Sequence, residues 1–165
     1  MNRFFYVIII LGICSCTSSI SNISSTCLLV PKHQYVMLYS MSGGNTIVDS
    51  IINDTIKEDY VGVSMLKIKG RRAQIIAKNA ISQIVSKGWI EKKHLGIYPV
   101  STSLLLLYDS PKKNAHVCDS IENVNWGDFL YVKKHNKRWL YVEYKQHQGW
   151  MSPEDQCDNP YSSCN

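Results

Sequence analysis

The chain has no apolar run long enough to cross a membrane as a helix. Its only long one, residues 4–13, is ten residues, where a spanning helix needs about 20. Metal spacing is missing too: His33, His94, His116, His135 and His147 are scattered, and no C-x-x-C or H-x-x-x-H pair exists. No G-x-S-x-G element marks a serine hydrolase. Charged residues make up only 19%, and no stretch is polar enough for a disordered tail. These absences exclude a helical membrane protein, a zinc module and a disordered chain. No cofactor is expected.

What is present begins with an export signal. Met1-Asn2-Arg3 is a small basic segment ahead of the apolar run, and Ile13-Cys14-Ser15-Cys16 has the form of a bacterial lipobox. Residues 1–16 are therefore expected to be a signal peptide. On this reading Cys16 is expected to become the lipidated first residue of the mature protein and to anchor it to a membrane; ordinary cleavage to a soluble secreted protein is the competing reading. Residues 17–33, opening with TSSISNISST, are predicted to be a flexible tether. Export places the chain in the cell envelope and argues against a nucleic-acid partner.

Four cysteines then remain, Cys27, Cys118, Cys157 and Cys164. In an oxidising compartment they allow three pairings. Cys157 and Cys164 bracket an Asn159-Pro160 turn, so a local bridge is expected there, which leaves Cys27 for Cys118. Buried free thiols are the competing reading.

Residues 104–153 read as a compact β module, with β-branched and aromatic runs separated by polar turns such as His135-Asn136-Lys137-Arg138. This module has a weaker copy upstream. Leu38-Tyr39 and Asp49-Ser50-Ile51 match Leu107-Tyr108 and Asp119-Ser120-Ile121, and Gly88-Trp89-Ile90 matches Gly149-Trp150-Met151. The extra residues of the first copy fall mainly between Ala77 and Gly88. His94 to Pro99 reads as a linker-like turn between the copies. Lys67, Lys69, Arg71 and Arg72 in one copy, and Lys133, Lys134, Lys137 and Arg138 in the other, form basic hairpin tips.

These residues resemble the bacterial SH3-type domain family, present as a tandem pair. The resemblance rests on Leu107-Tyr108-Asp109-Ser110-Pro111, on residues 126–132 (WGDFLYV), on Arg138-Trp139-Leu140-Tyr141-Val142 and on Gly149-Trp150-Met151. The first copy lacks the Gly-Asp step and has Arg72 and Ala73 where the second has Trp139. The family implies an all-β fold of two small SH3-like barrels, a divergent one at 34–98 and a second at 103–157, with a tail at 158–165. It also implies a non-catalytic binding role toward peptidoglycan peptides or another cell-wall component. The ligand groove is expected near Tyr108, Trp126, Trp139 and Tyr144, while Trp89 and Trp150, shared by both copies, are assigned to the core. Two other functions stay open: scaffolding an envelope protein partner, and cell-wall hydrolysis with Cys118 as nucleophile and His135 or His147 as base.

Overall fold

A computed structural model describes residues 25–30, 35–125, 127–159, 161 and 164. The signal peptide, the lipidation site Cys16 and Trp126 lie outside the described residues.

The described chain is all-β, as the alternating patterns lead one to expect. Its strands are β1 (Ser25–Leu29), β2 (Val36–Tyr39), β3 (Ile47–Ile51), β4 (Val61–Lys69), β5 (Arg72–Asn79), β6 (Val85–Glu91) and β7 (Leu95–Pro99). They continue with β8 (Leu104–Tyr108), β9 (Val117–Glu122), β10 (Leu130–Asn136), β11 (Trp139–Tyr144), β12 (His147–Met151) and β13 (Gln156–Cys157). Short 3-10 turns at Lys92–His94 and Pro153–Asp155 precede β7 and β13.

All thirteen strands belong to one antiparallel sheet, in the order β3-β2-β6-β5-β4-β1-β7-β10-β11-β12-β8-β9, with β13 on β7. Among the described residues no strand pairing closes it into a barrel. The order contains the repeat: β9-β8-β12-β11-β10-β7 is β3-β2-β6-β5-β4-β1 with each label raised by six. Even the irregularities recur. Register shifts interrupt β4 between Met65 and Lys67 and β10 between Val132 and Lys134, and others fall at Leu38/Tyr39 and Leu107/Tyr108. The β4–β5 and β10–β11 hairpins turn through left-handed residues at matching places, Gly70 (φ 59°) and Lys137 (φ 52°).

Two expectations fail at the centre of this sheet. Residues 25–29, placed in the tether, form β1, which pairs with both β4 and β7. A Ser/Thr-rich approach masks a strand whose alternate residues Ser25, Cys27 and Leu29 are all buried. The segment read as a linker between copies is β7, which pairs with β1, β10 and β13. Its Leu95, Gly96 and Ile97 are buried because they meet strands on both sides. Thus β7 closes the first half as β13 closes the second, and also opens the second half as β1 opens the first.

The inner face holds one continuous core, from Val36, Val63, Met65 and Ile75 through Leu95 and Ile97 to Leu107, Leu130, Leu140 and Val142. Alternation fixes which residues join it: in β11, Leu140, Val142 and Tyr144 point inward, and Trp139, Tyr141 and Glu143 outward. A smaller cluster covers the other face where the halves meet. Leu28, Val30 and Phe129 form it, with Tyr60, Tyr98 and Tyr131 packed around them. Phe129 lies so close to β7 that a Cβ at Gly96 would sit 2.7 Å from its ring. Asn53 ties the same region together, donating to the Leu29 carbonyl (2.9 Å) and accepting the Val61 amide (2.7 Å).

Candidate functional site

Strand register in the second half builds a row of aromatic residues on the outward face. Tyr141 stands opposite Trp150, and Trp150 opposite Tyr108, across β11, β12 and β8. Trp139 lies two residues before Tyr141 and so shares its face. The four rings interlock edge to face: Tyr108 with Trp139 at 5.6 Å and 88°, and Tyr141 with Trp150 at 5.4 Å and 80°. Each is half-buried. Lys134, opposite Tyr141, holds its Nζ 5.0 Å from that ring's centroid. Lys133 pairs with Glu143 at 3.2 Å. The surface is therefore apolar, aromatic and edged by positive charge.

Gly149 makes this arrangement possible. A Cβ there would meet Leu107 Cβ at 2.8 Å and Cys118 Sγ at 3.3 Å, so β8 can cross β12 this closely only over a glycine. Gly88 does the same in the first half, where a Cβ would meet Leu38 Cβ at 2.9 Å. The recurring Gly-Trp step is thus the place where the outer hairpin packs onto the sheet, which puts the following tryptophan outside.

Of the expected ligand residues, the structure brings Tyr108 and Trp139 together. Tyr144 is separated from them and is corrected to the core. It is 7% exposed, and its hydroxyl donates to Asp128 Oδ2 at 2.6 Å. The reason is parity, since Tyr144 shares the inward face with Leu140 and Val142. Trp150 and Trp89 are corrected in the opposite direction, because both are half-buried on the outward face. Tyr141 and Trp150 were missed as site residues, although strand alternation from Trp139 and the shared Gly-Trp step signal them.

The first half carries the same positions with different chemistry. Tyr39 pairs with Trp89 as Tyr108 does with Trp150, but Gln74 replaces Tyr141 and Arg72 replaces Trp139. Arg72 belongs to no basic tip: it is 2% exposed, and its guanidinium lies 3.6 Å over the Tyr39 ring. Its Nη1 donates to the carbonyls of Met41 (3.2 Å) and Gly44, in the loop joining β2 to β3. The arginine thereby fills the place that Trp139 leaves partly open in the second half.

The polar groups near the second-half site are engaged. His147 Nδ1 lies 3.0 Å from Asp119 Oδ1, and the Ser120 and Gln148 amides also donate to that carboxylate. The His147 bond, with these amides, holds Asp119 below the usual carboxylate range. His135 Nδ1 lies 3.1 Å from Ser25 Oγ, whose hydroxyl donates to the Lys137 carbonyl, and burial lowers the pKa of this histidine. Cys118 is exposed on β9, but partial burial of its sulfur and the Asp109 and Asp119 carboxylates push its thiol up. A nucleophilic thiol needs the reverse shift. Among the described residues, no three His, Cys, Asp or Glu side chains converge to hold a metal ion.

Cys157 and Cys164 are joined by a disulfide. The remaining pairing, Cys27 with Cys118, is not formed and is corrected: both are free, Cys27 inside the core on β1 and Cys118 on the outermost strand of the other half. No protein-family model matches the chain, and no curated protein is significantly similar to it.

Proposed function

We propose that the chain is a non-catalytic binding protein of the cell envelope, exported and lipid-anchored through Cys16. In this reading its halves are open variants of the SH3-type fold, each short of barrel closure, that share β7. The binding surface is the outward aromatic row Tyr108, Trp139, Tyr141 and Trp150, and its ligand is an extended cell-wall peptide of the peptidoglycan type. One observation carries this reading: four large rings stand half-exposed on one face in the second half, where the first half keeps only Tyr39 and Trp89 and has Gln74 and the buried Arg72 in place of Tyr141 and Trp139. Core packing does not call for them there, since Leu140, Val142 and Met151 already fill the inner face. Aromatic-lined surfaces hold extended peptides at small cost in ligand ordering, and Lys134 adds attraction for carboxylates.

Co-sedimentation with purified, insoluble peptidoglycan at low salt tests it. The mature chain is expected in the pellet, and a chain that stays in the supernatant rules the peptidoglycan ligand out. Scaffolding of an envelope protein is the second reading, favoured by the same exposed aromatic and cationic surface, which also suits a protein partner. It takes precedence if peptidoglycan fails and a protein co-purifies with wild type but not with Trp139→Ala.

A further inference from the structure

A groove of about 450 Å³ lies over β4 and β5 on the first half, away from the aromatic row. Asp158, which directly follows Cys157 where β13 pairs with Tyr98 of β7, contributes to its wall. Tyr60 lines it as well. The Tyr161 ring stands 5.8 Å from the Tyr60 ring at 51°, forming an open V, and Tyr161 is 45% exposed. Lys78 lines the groove with the opposite charge. Neither Asp158 nor Lys78 is in an ion pair with any described residue. The groove is therefore lined by one tyrosine, Tyr60, with Tyr161 beside it outside the lining, and by a carboxylate and an ammonium that are unpaired among the described residues, around a space of ligand size.

We propose that this groove binds a small zwitterion of the amino-acid type, its ammonium held by Tyr60, Tyr161 and Asp158 and its carboxylate by Lys78. Tyrosine faces are electronegative and attract ammonium groups, and a neighbouring carboxylate adds to that attraction. A simple anion gains only Lys78 and meets Asp158; a simple cation meets the reverse. Only a molecule carrying both charges satisfies both walls. The site is independent of the aromatic row and stands or falls separately from it.

Three probes test it on the oxidised full chain by NMR titration: trimethylglycine, tetramethylammonium and acetate. Trimethylglycine is expected to bind saturably and more tightly than tetramethylammonium, with acetate not binding. Asp158→Asn or Tyr161→Ala should weaken trimethylglycine by about fivefold. Lys78→Gln should weaken trimethylglycine while leaving tetramethylammonium as tight or tighter, and Trp139→Ala should alter neither. Absence of saturable trimethylglycine binding overturns the proposal, as does an affinity untouched by both Asp158→Asn and Tyr161→Ala. All four positions are on the outer surface, so folded spectra of each variant are expected and are checked in the same samples.

Discussion

At the scale of single residues, burial and exposure divide the aromatic side chains into two kinds with different predicted phenotypes. Tyr144→Phe removes a part-buried hydrogen bond to a carboxylate and is expected to cost about 1–2 kcal/mol in urea unfolding, with ligand binding retained. Trp139→Ala removes an outward ring and should change stability little while weakening binding about tenfold or more. His135 adds a pH dependence of known sign. Its pKa is lowered in the fold by burial, so the unfolded chain takes up the proton first. Stability is full above pH of about 6.5 and falls as the pH drops toward the lower folded value. Urea midpoints at pH 7.5 and 5.5 should therefore differ more for wild type than for His135→Gln. Alternation along Trp139-Leu140-Tyr141-Val142-Glu143-Tyr144 already assigns Tyr144 to the core side, so that correction was legible in the sequence. The burial of Arg72 was not: a basic residue beside a turn reads as solvated, and its partners Met41 and Gly44 are about thirty positions away.

At the scale of elements, the repeat was legible because its marks are local. The Leu-Tyr opening, the Gly-Trp step and the turn residues each act within a few positions. The double role of β7 was not legible, because a strand's neighbours are set by pairings with Leu28, Leu130 and Gln156 that no local pattern announces. The close crossing at Gly149 gives an element-scale prediction. Gly149→Ala drives a methyl group to 2.8 Å from Leu107 Cβ and must push β8 from β12, at an expected cost of about 1–3 kcal/mol in urea unfolding. The thiols report on the same two strands. Cys118 on edge strand β9 should react with a thiol reagent in the native state, and Cys27 within β1 only on unfolding.

At the scale of the whole molecule, the shared strand makes the two halves one body with one continuous core. A fragment of residues 103–165 lacks β7 and leaves β10 without its inner partner, so it should show no cooperative unfolding. A fragment of residues 95–165 contains β7 and should unfold cooperatively. The full chain should give a single transition, since the halves meet over β1, β7 and β10 and over the Leu28, Val30 and Phe129 cluster. In the proposed reading the halves differ in function because the position of Trp139 is partly open in one half and its equivalent is filled by Arg72 in the other. Retention of full-length chain on purified peptidoglycan, compared between Trp139→Ala and Trp89→Ala, addresses this most directly. Each variant removes one outward, half-buried tryptophan. Trp139→Ala is expected to lose retention while Trp89→Ala keeps it, and loss in Trp89→Ala with retention in Trp139→Ala would contradict placing the binding surface in the second half.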